Sequence, residues 1–244
     1  VQSATCGNKH TVAICTEGSG RPGIAFAWGW GEAGRLGQGR DLGIEPEPLR
    51  IATYWDKPTS SDSSNLTAVS ADSIEIVEAA CGYEHTLLLS STGQVFACGA
   101  GDCGKLGLGD ENDRLAPTRV QGNLEDEHVA SIAAGDLHSL AVTDQGIVLS
   151  WGLGEFGALG HGDTLNRLEP KRVALLQDSR RVRMVGCGSN YSIALDMSGR
   201  VWAWGDESNG HLGSVASSAE SIAGENCIPR MVRFGAAAAE IGAA

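Results

Sequence analysis

Residues 95–110 read VFACGAGDCGKLGLGD, and residues 148–163 read VLSWGLGEFGALGHGD. A third copy, VWAWGDESNGHLGS, fills 201–214, and an earlier one, FAWGWGEAGRLGQG, fills 26–39. The glycine closing the apolar phrase is Gly29, Gly99, Gly152 or Gly205, and the last three are each 53 residues apart. A period of this size means a propeller, a solenoid or an array, because each unit buries its apolar faces only against its neighbours.

A second phrase precedes each copy. It reads Cys6-Gly7-Asn8-Lys9-His10, Cys81-Gly82-Tyr83-Glu84-His85, Ala134-Gly135-Asp136-Leu137-His138 and Cys187-Gly188-Ser189-Asn190-Tyr191. From Gly82 to Gly99, Gly135 to Gly152 and Gly188 to Gly205 is 17 residues each, whereas Gly7 to Gly29 is 22. Unit two shows the layout: a strand over Ile74 to Ala80, a sharp turn, a strand over Thr86 to Ser90, and a tight hairpin at Ser91-Thr92-Gly93. A third strand follows over Gln94 to Cys98, and a fourth over Ala116 to Val120 after a glycine-rich stretch. Runs this short, punctuated by Gly and Pro, exclude helices of ordinary length. Four short antiparallel strands per unit make a propeller blade. The chain is therefore read as one all-β propeller segment of about four blades, with units at about 1–73, 74–127, 128–180 and 181–244. The first unit carries an insertion at 51–73, because strands keep their length and loops absorb change.

The totals narrow the function. Hydrophobic residues at 42% suffice for a packed core, and no apolar run approaches the ~20 residues of a membrane helix. A net charge of −12 argues against a general phosphate-binding surface, so no direct nucleic-acid partner is expected. Seven cysteines without a close C-x-x-C pair do not make a disulfide framework. Cys6, Cys81 and Cys187 share a position that also accepts Ala134, which marks a small buried site. A reducing intracellular compartment (cytoplasm, cilium or mitochondrion) is expected.

The combined pattern C-G-x-x-H-T, hairpin, V-x-x-W/C-G-x-G-x-x-G-x-L-G-x-G-D, then P-x-x-V, resembles the regulator of chromosome condensation repeat family across nearly the whole chain. The resemblance implies a seven-bladed β-propeller, of which four units are present. Val120 and Val173 each precede a turn glycine by 15 residues, so the matching glycine after Val232 falls past the last residue. The chain is expected to be part of a longer protein. The resemblance also implies function: a non-enzymatic protein-interaction scaffold, as a subunit of a larger assembly, or alternatively guanine-nucleotide exchange on a Ran-like small GTPase.

Each motif carries a structural alternative. GWGEAG, GAGDCG and GLGEFG satisfy G-x-G-x-x-G, yet a dinucleotide site needs one such loop opening a helix after a strand. Here the glycines are read as letting backbones pass closely at the blade edge. His10, His85, His138 and Tyr191 share one position; tyrosine is a poor zinc ligand, so each ring is read as bonding within its own blade to fix the turn. Trp28, Trp151 and Trp204 are read as core. No catalytic constellation, metal or cofactor is expected. Two features break the repeat. Tyr54 and Trp55 in the insertion are candidate partner contacts, against a reading in which they pack on the blade beneath. The basic group Arg167, Lys171, Arg172, Arg180, Arg181 and Arg183 either protects a strand edge or docks an acidic partner; Arg180, Arg181 and Arg183 are the docking candidates.

Overall fold

The computed structural model describes residues 1–16, 23–51, 74–176, 181–213 and 225–234. Within them the chain forms four antiparallel sheets of four strands, each in sequence order. Blade 1 is β1 (Ser3–Cys6), β2 (His10–Cys15), β3 (Ile24–Trp30) and β4 (Ile44–Arg50). Blade 2 is β5 (Ile76–Cys81), β6 (His85–Ser90), β7 (Val95–Gly99) and β8 (Arg114–Arg119). Blade 3 is β9 (Val129–Ala134), β10 (His138–Thr143), β11 (Val148–Gly152) and β12 (Arg167–Arg172). Blade 4 is β13 (Val182–Cys187), β14 (Tyr191–Asp196), β15 (Val201–Gly205) and β16 (Arg230–Met231).

First strands of successive blades touch one another, β1 with β5, β5 with β9 and β9 with β13, so they are innermost. Topology then sorts the loops. One end of the segment carries every first-to-second-strand turn and every glycine-rich loop; this is the turn face. The other end carries the starts of the first and third strands and the ends of the second and fourth; this is the hairpin face.

Alternation along the two middle strands splits each blade into two apolar flanks. Val12, Ile14, Ala25 and Ala27 of blade 1 pack against Cys81, Leu88 and Phe96 of blade 2. Leu87, Leu89, Val95 and Ala97 then face Ala141, Leu149 and Trp151 of blade 3. Leu140, Val142 and Val148 face Val185, Ala194, Trp202 and Trp204 of blade 4. The core is thus a stack of inter-blade sandwiches, with both faces of an inner blade buried.

Two glycine positions make this stacking possible. A Cβ on Gly7, Gly82 or Gly135 would lie 2.3–2.6 Å from the carbonyl oxygen of Gly82, Gly135 or Gly188 in the next blade. Gly29, Gly99, Gly152 and Gly205 have φ of +102° to +114°, a region that strains side chains. The third glycine of the G-x-G-x-x-G phrase also sits against a neighbour. A Cβ on Gly34 would meet Leu115 Cα at 2.4 Å, and one on Gly104 would meet Leu168 Cα at 2.6 Å. The loop of one blade thus rests on the outermost strand of the next. These loops hold only single 3-10 turns, Glu32–Gly34, Asp102–Gly104 and Glu155–Gly157.

Candidate interaction faces and blade junctions

The repeated histidines work differently from the expectation that each bonds within its own blade. His10 Nε2 lies 2.8 Å from Thr86 Oγ1, His85 Nε2 lies 3.0 Å from Ser139 Oγ, and His138 Nε2 lies 2.9 Å from Ser192 Oγ. Every one of these bonds crosses to the next blade. The hydroxyls donate onward to the carbonyls of Arg35, Lys105 and Ala158, each at 2.8 Å. A hydroxyl has one proton, so it accepts from the ring, and Nε2 carries the imidazole hydrogen. Trp151 and Trp204 add their indole N–H to the Lys105 and Ala158 carbonyls at 3.0 and 2.8 Å. Cys98 replaces the indole at the first junction, its Sγ 3.9 Å from the Arg35 carbonyl oxygen. Trp151 and Trp204 are core residues that also bond across blades, whereas Trp28, expected in the core as well, is half-buried. Sequence could not show this, because a period fixes a position and not which neighbour it reaches.

Burial keeps these rings neutral. Burial first, then the Arg35 guanidinium, lowers His10 to about 4. Burial alone takes His138 to about 4. Burial, with Lys105 next, pushes His85 well below its usual value. The Nδ1 atoms of His10 and His85 are buried with no hydrogen-bond partner. Among the described residues no group of three His, Cys, Asp or Glu side chains converges on a metal-sized site.

A charged layer unnoticed in the sequence lies beside these locks. Arg35, only 2% exposed, bonds Glu84 of blade 2 through Nη2 at 3.2 Å and the Glu32 carbonyl through Nε at 2.9 Å. The equivalent Lys105, fully buried, faces a blade with Leu137 in place of Glu84, and pairs with its own Asp102 instead. In the third junction the two positions are Ala158 and Asn190. Read along the chain, the two positions are Arg–Glu, Lys–Leu and Ala–Asn, so among the three described junctions the first alone places opposite charges there.

The turn face presents apolar side chains. Ile44 and Leu165 are 75% and 63% exposed, Phe156 and Tyr83 less so. Ala33, Cys103 and Phe156 hold positive φ near +58° at one loop position, each beside an exposed acid, Glu32, Asp102 or Glu155. Lys9 Nζ caps the Trp30 ring at 4.0 Å.

The partner candidates from sequence separate. Tyr54, Trp55 and Arg180 lie outside the described residues. Arg181 and Arg183 are exposed on and beside the innermost strand β13. Arg183 is the bulged residue between Val182 and Met184, matching exposed Val77 in β5. Arg167, Lys171 and Arg172 belong to the outermost strand β12, where Arg167 pairs with Asp163 at 2.6 Å and Arg172 with Glu127 at 2.5 Å. The described members of the basic group are therefore divided between two sheets, three on an outermost strand and two at an innermost one.

Four-stranded blades, radial stacking and junction locks repeated in register define a β-propeller segment. The chain belongs to the family described as Regulator of chromosome condensation (RCC1) repeat, whose profile matches residues 22–89, 92–142 and 145–195. The matched segments begin near the second-to-third-strand hairpin, out of phase with the blades. Relatives include the Ultraviolet-B receptor UVR8 of Arabidopsis thaliana, 34% identical over 87% of this chain and 43% of that protein. The human E3 ubiquitin-protein ligase HERC2 is 36% identical over 84% of this chain and 4% of its own length. The chain thus spans less than half of these relatives. Among solved structures, Saccharomyces cerevisiae Prp20p aligns with TM-score 0.70 at 21% identity, over 96% of this chain and 50% of its own. Human WBSCR16 aligns with TM-score 0.61 at 23% identity, over 94% and 66%. At these identities the structural likeness speaks to fold alone.

Proposed function

We propose that this propeller is a non-enzymatic protein-interaction scaffold in a larger assembly, with the turn face as its contact surface. One observation carries the reading. The recurring His10, His85 and His138 and the thiol of Cys81 are buried in the junctions, Cys6 alone of its repeat position being exposed, while the loops of the turn face expose Ile44, Tyr83, Phe156 and Leu165 beside acids. Exposed aromatic and aliphatic residues ringed by charge suit a protein partner. Burial raises the thiols of Cys81, to about 12, and of Cys98 and Cys187, which suits inert packing in a reducing compartment.

The second reading is nucleotide exchange on a small GTPase. It draws on the likeness to Prp20p, a protein described with its binding to Gsp1p and histones. A nucleotide-release assay on Ran-type GTPases separates the two. We expect release at the intrinsic rate, and loss of co-purifying proteins from the Phe156→Ala/Leu165→Ala variant with its thermal melt unchanged. Accelerated release at catalytic amounts of the protein replaces the scaffold reading with exchange.

A further inference from the structure

Blades 2 and 3 are covered on both flanks by described blades, and their glycine-rich loops come together at one place on the turn face. A Cβ on Gly104 would meet Leu168 Cα at 2.6 Å, so the tip of the blade 2 loop, Cys103, lies beside Leu168 of β12. A Cβ on Gly154 would meet the Leu165 carbonyl oxygen at 2.2 Å, which brings Leu165 back against the start of the loop that carries Phe156. Phe156, Leu165 and Leu168 are exposed and belong to none of the buried clusters. The loop does not require an aromatic ring, since Ala33 and Cys103 fill the same position, and its positive φ disfavours a bulky side chain. An exposed ring held there points to a contact.

Charge at this place is acidic and uncompensated. Asp102 adjoins Cys103, and Glu155 adjoins Phe156. Both blades act on Cys103: burial first, then Asp102, raises its thiol, with Glu111 and Glu155 adding to the effect and Lys105 opposing it. The nearby cations are engaged. Lys105 is buried and paired with Asp102, Arg114 bonds Asp110 at 2.8 Å, and Arg167 bonds Asp163 at 2.6 Å. Among the described residues no salt bridge involves Glu111 or Glu155. Other cations stand at the hairpin face: Arg119 and Arg172 end fourth strands, and Arg181 and Arg200 precede a first and a third strand.

Such a surface repels the phosphates of nucleic acid and of anionic lipid. A purely apolar partner would take two carboxylates out of water unpaired, which is costly. We propose that the meeting place of the blade 2 and blade 3 loops binds a basic protein segment in which Lys or Arg flank a bulky apolar residue. The apolar side chain meets Phe156, Leu165 and Leu168, and the cations meet Glu111 and Glu155. This partner chemistry rests on the reading of the turn face as the contact surface. Charge pairs at an exposed rim govern specificity and rate of encounter, and salt screens them.

Fluorescence anisotropy at low and at physiological salt is the test, with a labelled peptide in which lysines flank a Leu-Phe pair. Two counterpart peptides replace the lysines by glutamate or the Leu-Phe pair by Ser-Ser. The first peptide is expected to bind, less tightly at physiological salt, the glutamate peptide not to bind, and the Ser-Ser peptide to bind more weakly. Glu111→Gln/Glu155→Gln is expected to weaken the first peptide by about three- to tenfold and to flatten its salt dependence. Glu125→Gln/Asp126→Gln removes the same charge from exposed acids between β8 and β9 and should leave binding unchanged. Absence of binding by the first peptide overturns the proposal. Equal weakening by the two pairs of substitutions overturns it too, since attraction would then follow net charge alone. Co-purifying proteins lost from Phe156→Ala/Leu165→Ala but kept by Glu111→Gln/Glu155→Gln overturn the basic partner and leave the turn face as contact surface. A Phe156→Ala/Leu165→Ala variant that keeps both its co-purifying proteins and its peptide affinity removes the turn-face reading and this partner with it.

Discussion

Gly82 and Ala33 show how one backbone demands two opposite residue choices. Gly82 has an ordinary φ but no room: a Cβ would meet His85 Cε1 at 2.1 Å and the Gly135 carbonyl oxygen at 2.5 Å. The second atom belongs to backbone in the next blade and cannot swing away. Gly82→Ala is therefore expected to cost about 1–3 kcal/mol, the range for overpacking. Ala33 has the reverse problem. Its φ is +57°, a conformation that costs an L-residue about 1–2 kcal/mol, partly offset on mutation because glycine gains freedom when unfolded. Ala33→Gly is expected to raise stability by up to about 1 kcal/mol. Urea midpoints of the two variants should move in opposite directions. A Gly82→Ala midpoint equal to wild type would remove the close-approach account of this repeat position.

At the scale of elements, each blade is specified by its neighbour as much as by its own strands. Arg35 bonds Glu84 across the first junction, whereas the equivalent positions at the third hold the uncharged Ala158 and Asn190. Glu84→Asn leaves a guanidinium that is 2% exposed without its carboxylate, and is expected to cost about 1–3 kcal/mol, moderated because Glu84 itself is partly in water. Arg35→Ala/Glu84→Asn, which installs the third junction's chemistry in the first, should recover most of that loss in a double-mutant cycle. Additive costs in calorimetry would mean that the pair is not coupled. This is also where sequence reading stopped. Blade strands were legible because Gly99, Gly152 and Gly205 recur at a fixed interval and the apolar residues between alternate. The direction of the His85 bond was not legible, since repeat position is the same whether the ring turns to its own blade or to Ser139. How the basic residues divide between strands was not legible for a related reason. Arg172 and Arg181 are close in sequence, but β12 is an outermost strand and β13 an innermost one.

For the whole molecule, the junction histidines make stability depend on pH in a particular window. His10 and His138 titrate near 4 when folded and near 6.5 when unfolded, and His85 is shifted the same way. Between those values the unfolded chain binds more protons, so stability falls as pH falls from 6.5 towards 4. A shift of this size is worth about 3 kcal/mol for each of His10 and His138. A folded domain holds only about 5–15 kcal/mol in total, so the loss from His10 and His138 is a large fraction of it, and His85 adds in the same direction. Carboxylates act later. Burial works to raise the carboxyl of Asp196, but hydrogen bonds from the Arg200 and Ser198 amides, the Trp202 indole and the Arg200 side chain outweigh it and hold it at about 2. Its stabilising share is lost only as pH drops below the ordinary carboxylate value towards 2. Far-UV circular dichroism against pH should therefore show cooperative unfolding whose midpoint lies between 6.5 and 4. Replacing His138 by Gln, which keeps a donor for Ser192 and cannot be protonated in this range, should move that midpoint to lower pH. Unfolding that begins only below pH 4, or a midpoint indifferent to His138→Gln, would assign acid sensitivity to the carboxylates and not to the locks between blades.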